Sequence, residues 1–421
     1  MENSGVIKLF LTNIAQGGDA FGRHNGKPVF VEGGAPGETI LCKVSEDHKT
    51  WMRCGLLEII DPSPERTESV CALYKKCGGC NLQHIKYNAQ LDIKVFILKE
   101  SFIRIGAVDP PEIEIFPPPV LENSPPDALE TPPCYQWEYR NRMQFHCVRQ
   151  KTKNASFGAD KPARVFGLKG KGNEIIAVND CPVAAPGIRK ALNSSSVIAP
   201  PEKDRFTIFS KDDVLLSEGG VSRGKIKLLN KEIILDARIF FQSNCFMLEK
   251  LIIELMKIAG EADQNLPAAD LYCGAGTFAI FLADIFPKVI LAEENKTAVS
   301  IAGENLRGKN AEFFALKDSH WPKVLFQDKS AMRTAGFAVV DPPRAGLSTS
   351  LALSLALNGP PVLSYVSCDA ASLARDSKIL INGGYHLTRL MMFDFYPQTA
   401  HIESLAVFKR NKSPDYKIKK S

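Results

Sequence analysis

Five short stretches of the chain carry residue types that do chemistry. YVSCDAASLARD, residues 365–376, sets Cys368 where the apolar run VLSYVS gives way to a helix-like segment. DPPRAG, residues 341–346, sets Asp341 and two rigid prolines after the apolar run GFAVV. DLYCGAGTF, residues 270–278, ends a third run in a glycine turn; Glu293 closes the next, and FYPQTAHIESLAVF brings Glu403 just ahead of the last. In CALYKKCGGC, Cys71, Cys77 and Cys80 are separated by five and two residues, and Cys181 of NDCPV is a distant fourth cysteine.

Glycines at a strand end let the backbone approach a ligand at a helix N-terminus, and an acid some twenty residues on can accept both ribose hydroxyls. The third glycine of the dinucleotide pattern and a phosphate-binding lysine are both missing here. That favours a nucleoside ligand without pyrophosphate, and S-adenosylmethionine fits; the plainer alternative is a turn in an unliganded α/β domain. Enzymes that methylate exocyclic amines follow their two prolines with an aromatic residue, where this chain has Arg344. Stacking on an exocyclic amine is therefore disfavoured. Cys368 is a packing residue, a metal ligand or a nucleophile. A strand-to-helix junction would lower its pKa, with Arg375 as a second source of positive charge. Glu403 is either a solvated surface acid or a general base on the same rim. Four thiolates suit zinc or an iron–sulfur cluster, and spacing alone does not separate the two.

These residues need elements to hold them. Residues 1–63 alternate β-branched runs with glycine turns, which predicts a small OB-like β-barrel. A central β region is expected over 64–86 and 134–235. Between its parts, 87–109 should form an amphipathic helix, with Leu91, Val95, Leu98, Phe102 and Ile105 as one apolar stripe packing on a larger domain. The proline-rich stretch 110–133 reads as a surface connection without regular structure. Over 236–411, strands alternate with helical segments, which predicts a doubly wound, mostly parallel sheet with its ligands at the carboxyl ends of the strands. Residues 412–421 form a basic tail.

With 421 residues and 45% hydrophobic content the chain buries a full core, and no apolar stretch is long enough for a membrane span. MENSGVIKLF has no signal-peptide centre, so the expected location is the cytoplasm. A net charge of +5 permits a polyanionic partner without naming one. The 11 cysteines, an odd number on a chain read as cytoplasmic, argue against a disulfide framework. Cys42, Cys54, Cys134, Cys147, Cys245 and Cys273 lack ligand spacing and read as small buried hydrophobes.

Taken in order, GGDAFGR, GKPVFVEGGAPGE, CxxxxxCGGCNLQH, YRNRMQF, DCPV, FFQSN, DLYCGAGTF, DPPRAG, SCDAASLARD and YPQTAHIES resemble the RNA uracil-5-methyltransferase family over nearly the whole chain. The resemblance is specifically to its iron–sulfur members that act on 23S rRNA. It implies a Rossmann-like class I methyltransferase domain, an N-terminal OB-like TRAM barrel and a small iron–sulfur β domain, in a monomeric protein. It further implies a [4Fe–4S] cluster on Cys71, Cys77, Cys80 and Cys181, with zinc as the alternative. S-adenosylmethionine contacts are implied for Gln242, Tyr272, Thr277, Glu293, Asp318 and Asp341. Cys368 would be the nucleophile and Glu403 the base. The RNA would be 23S rRNA, with tRNA as the alternative; a non-catalytic RNA-binding assembly protein is the reading from a different class. The family's SCNP reads SCDA here, so Asp369 adds a negative charge beside the thiol. Asp369 is expected to point away, or to be hydrogen-bonded by Arg375 or backbone.

Overall fold

A computed structural model describes residues 5–118, 136–149, 164–327 and 331–410. Cys134, most of the proline-rich connection and the basic tail lie outside the described residues.

The N-terminal strands β1 (Val6–Ile14), β2 (Ala20–His24), β3 (Lys27–Val31), β4 (Thr39–Asp47) and β5 (Met52–Asp61) close into a barrel in the order β1-β2-β3-β5-β4. Leu9, Leu11 and Ile14 of β1 point into the barrel core. Asn25 and Gly26 both take positive φ between β2 and β3, the backbone that a two-residue hairpin demands.

The helix Tyr87–Ser101 forms as expected; Leu98 and Phe102 of the predicted stripe are buried and Leu91 and Val95 pack against the same core, but the buried face is wider than that stripe. Gln90, Ile93, Lys94, Ile97, Leu98 and Ser101 are buried, whereas Ile105 is exposed. Two effects cause the difference. Gln90 and Lys94 bury because Gln398 and Asp394 satisfy them. The last turn, Phe102–Gly106, is a π-helix, so the periodicity slips there and Ile105 swings outward.

The proline-rich stretch also departs from expectation, because Ile113–Phe116 forms strand β6. It pairs in parallel with β19 (His386–Phe393) at the edge of the large sheet. Prolines at 110, 111, 117 and 118 flank the strand, where an edge position tolerates them.

The central region holds a five-stranded sheet, β11-β10-β7-β8-β9, from β7 (Arg142–Arg149), β8 (Arg164–Lys169), β9 (Ile175–Ile176), β10 (Arg205–Lys211) and β11 (Val214–Ser217). The hairpin β12 (Arg223–Leu228) and β13 (Lys231–Asp236) follows. The large sheet runs β16-β15-β14-β17-β18-β20-β19-β6. Its members are β14 (Ala268–Leu271), β15 (Val289–Glu293), β16 (Ala311–Ala315), β17 (Phe337–Val340), β18 (Val362–Ser367), β19, β20 (Glu403–Lys409) and β6. Neighbours among β14 to β18 are parallel, and β20 is antiparallel to both β18 and β19. Every residue of β14, β17 and β18 is buried, which is why these strands read as continuous apolar runs. Cys42, Cys54, Cys147, Cys245 and Cys273 are buried within the packed interior.

Candidate active site

The carboxyl ends of the parallel strands open on one cavity of about 580 Å³, a size that suits a small-molecule ligand. Tyr272 follows β14, Glu293 ends β15, Asp318 follows β16, Asp341 follows β17 and Cys368 follows β18. All five line the cavity, together with Gln242 and with Glu403 at the start of β20. Thr277 is outside this lining. The chain turns at Gly276 (φ +79°), where an added Cβ would come within 2.8 Å of Leu306, and Thr277 continues toward the short helix Ala279–Leu282.

Cys368 and Glu403 come together through strand register. Ser367 of β18 pairs with Ser404 of β20, so the next antiparallel step sets Cys368 opposite Glu403. Glu403 is 1% exposed, and neither of its carboxylate oxygens finds a hydrogen-bond partner among the described residues. Burial and then the Asp341 charge hold its pKa far above the ordinary carboxylate range, against the pull of Arg344. Asp341 is itself pushed up to about 7 by burial, while Gln242 Nε2 donates to its Oδ2 at 3.2 Å. Burial, Glu403 and Asp341 raise the Cys368 thiol to about 12, and Arg344 opposes them. The expected lowering of this thiol is thus reversed by burial and by three acids, Glu403, Asp341 and Asp369.

The rest of the cavity suits a nucleoside. Glu293 accepts the Gly274 N–H at 3.2 Å and the Asn295 N–H at 2.8 Å. These bonds hold the carboxylate where the glycine turn ends, with lone pairs free for a diol. Tyr272, at φ +62°, donates its hydroxyl to Asp318 Oδ2 at 3.0 Å and meets Trp321 edge-on at 4.6 Å. Gln242 Oε1 is buried without a partner among the described residues. These donors and acceptors suit the diol and the polar groups of S-adenosylmethionine.

Comparison with known proteins agrees with this geometry. Residues 225–411 match the family described as tRNA (Uracil-5-)-methyltransferase, and residues 11–53 match the TRAM domain. An RNA methyltransferase of Treponema denticola, itself uncharacterized, is 30% identical over 399 residues, covering 92% of this chain and 95% of that protein. The chain belongs to the RNA uracil-5-methyltransferase family. The 23S rRNA (uracil(1939)-C(5))-methyltransferase RlmD of Shewanella piezotolerans is 28% identical, with 97% of both chains covered. Among solved structures, the Pyrococcus abyssi tRNA (uracil-54, C5)-methyltransferase in complex with S-adenosyl-L-homocysteine shares the fold. Its TM-score is 0.68 at 21% identity, and the match covers 96% of this chain and all of that one. This uracil-5-methyltransferase is thus an S-adenosylmethionine-dependent enzyme of RNA, and no helix among its described residues is long and apolar enough to cross a membrane.

Asp369 is the helix N-cap. Its Oδ1 accepts the Ser372 N–H at 2.8 Å, and its Oδ2 accepts from Gln16 Nε2 of the barrel at 2.7 Å. Arg375 is occupied elsewhere, by Asp376 and the Ala345 carbonyl. Backbone, not Arg375, is therefore the expected partner that materialised, and Gln16 is an addition.

Sequence reasoning passed over Phe240, Tyr396 and Trp321, which also line the cavity. Phe240 is 62% exposed, with the Arg142 guanidinium 5.6 Å from its ring centre. Neighbouring extended residues face opposite ways; with Phe241 in the core, that alternation was the signal that Phe240 faces out.

Cys71, Cys77, Cys80 and Cys181 line one small separate cavity with Tyr74, Gln83 and Arg140. Among the described residues no group of three or more His, Cys, Asp or Glu is arranged to hold a single metal ion. Burial pushes the Cys77, Cys80 and Cys181 thiols up, Cys80 to about 12. Arg140 Nε is buried and has no acceptor among the described residues. The four cysteines and Arg140 share this one small space.

Proposed function

We propose that this enzyme methylates carbon 5 of a uridine in 23S rRNA through a covalent cysteine adduct. The observation that carries the mechanism is the register that faces Cys368 with Glu403 in one cavity with Asp341. Carbon 5 of uracil is a poor nucleophile. Addition of the Cys368 thiolate to carbon 6 converts it into an enolate carbon that can attack an electrophilic methyl group. S-adenosylmethionine, when bound, would supply that methyl from its sulfonium and leave as S-adenosylhomocysteine. Glu403, ionised, takes the proton from carbon 5; the carbon–sulfur bond then breaks, and 5-methyluridine leaves with the Cys368 thiolate restored. A carboxylate with a raised pKa and no competing hydrogen bond is a strong base for that step. Gln242 holds Asp341, while Glu293 and Tyr272 flank the space left for the nucleoside. A stacked base cannot reach a strand end, so the uridine is flipped out of the RNA. The barrel and central β region hold the strand around it.

The choice of 23S rRNA rests on the Shewanella relative, whose name carries that substrate. We also assign the four-cysteine cavity to a [4Fe–4S] cluster, held by Cys71, Cys77, Cys80 and Cys181, with Arg140 as a donor toward it.

The test uses purified enzyme, labelled cofactor and a 23S rRNA fragment or tRNA transcript. Cys368→Ala should abolish transfer while remaining folded, and Glu403→Gln should methylate and then stay covalently attached to the RNA. A fully active Cys368→Ala enzyme, or transfer to tRNA alone, overturns the respective part. Iron and sulfide near four of each per chain, lost in Cys181→Ser, would support the cluster; zinc in their place would refute it.

A further inference from the structure

The loop carrying Cys80 is bonded directly to the segment that leads into β20. The N–H groups of Asn81 and Leu82 both donate to the Gln398 carbonyl, at 3.2 and 3.0 Å. Asn81 Oδ1 accepts the Ala400 N–H at 2.9 Å, and Asn81 Nδ2 donates to the Gly17 carbonyl of the barrel at 2.7 Å. One side chain therefore ties the barrel, the cysteine loop and a residue three positions before Glu403.

The surroundings are shaped for this side chain. Gly18 has φ +100°, and an added Cβ there would lie 2.1 Å from Asn81 Nδ2. On the other side, Gln398 sits at φ +69°, a conformation that a non-glycine residue keeps only when its neighbours impose it. Its N–H donates to Gln90 Oε1 at 2.9 Å and its Nε2 to Gln136 at 3.0 Å, so the segment is held from several directions. Glu403 has no side-chain partner among the described residues, and its aim therefore comes from the backbone path into β20.

We propose that Asn81 is a positioning residue for proton abstraction. Its bond to the Ala400 N–H sets the entry of β20 and hence the placement of the Glu403 carboxylate, and its bond to Gly17 makes the docked barrel part of that setting. The proposal rests on the reading of Glu403 as the base.

The experiment follows a single turnover of the full-length enzyme on RNA labelled with tritium at uracil carbon 5, scoring covalent adduct and tritium release separately. Asn81→Ala should form adduct within twofold of the wild-type rate and release tritium about tenfold more slowly, the scale expected for loss of one or two hydrogen bonds. Asn81→Asp keeps the acceptor for Ala400 and should recover most of that release. Gly18→Ala, which displaces Asn81 without removing it, should slow release as Asn81→Ala does, and it carries the test if Asn81→Ala does not fold. Wild-type release from Asn81→Ala, an equal slowing of adduct formation, or slow release only in protein that has lost bound iron overturns the proposal. Glu403→Gln is the reference. If it traps no adduct, the assignment of the base fails; if it traps adduct while Asn81→Ala and Gly18→Ala release normally, only the role of Asn81 fails.

Discussion

Cys368 and Glu403 stand across from each other one step beyond the Ser367–Ser404 pair, at the point where β18 ends and β20 begins. The consequence is electrostatic. Glu403 raises the cost of ionising Cys368, and Asp341, at the end of the adjoining β17, raises it for both. Arg344, two prolines further along, is the cation that opposes this for both groups. The free site thus disfavours the ionised forms of Cys368 and Glu403.

The thiol makes this measurable in the free enzyme. With Cys368 near 12, its thiolate fraction rises tenfold for each pH unit between 7 and 9. Alkylation of the Cys368 peptide, followed by mass spectrometry, should rise with that slope. Asp341→Asn removes an anion, lowers the thiol pKa and should speed alkylation; Arg344→Ala removes the opposing cation and should slow it. A thiol that alkylates equally at pH 7 and 9 would contradict the assigned charge balance.

The same burial predicts a pH-dependent stability. Asp341 and Glu403 have folded-state pKa values above their unfolded ones, so the stability tied to their protonation is full below about pH 4 and is lost as pH rises, through about 7 for Asp341. Asp341→Asn and Glu403→Gln escape this loss. Each should therefore melt at a higher temperature than wild type at pH 8, by about 1 °C per kcal/mol recovered in a chain of 421 residues. The difference should vanish near pH 4. Equal melting temperatures at pH 8 would show that the carboxyls ionise freely.

The strands of the large sheet were legible because burial on both faces writes itself as unbroken apolar runs, as in VLSYVS. Glu293, Asp341 and Cys368 were legible for the same reason, since each stands where such a run stops. The buried face of the helix Tyr87–Ser101 was legible at Leu98 but not at Gln90 and Lys94, which are buried through partners some 300 residues away, at Gln398 and Asp394. Strand β6 was hidden by its prolines, which count against a central strand and not against an edge. The charge state of Cys368 depends on Glu403 across a sheet, and local sequence carries no trace of that distance.

The buried pair of Lys94 and Asp394 gives the last prediction. Both side chains are fully buried, and the pair joins the helix Tyr87–Ser101 to the residue that follows β19. The Tyr87 hydroxyl donates to Asp394 Oδ2 at 2.7 Å, and Lys94 Nζ donates to the Tyr396 carbonyl at 2.9 Å, so the charges are hydrogen-bonded as well as paired. Loss of one partner strands the other charge in a medium that solvates it poorly, at about 3–5 kcal/mol. Lys94→Met alone should therefore lower the melting temperature by about 3–6 °C in a chain of 421 residues. Asp394→Leu added to it removes the stranded charge and should restore part of the loss, leaving the Tyr87 hydroxyl and Tyr396 carbonyl as the residual cost. If the double variant melts lower than Lys94→Met, the pair is not what holds the helix against the catalytic sheet, and the Tyr87 hydrogen bond carries that role instead.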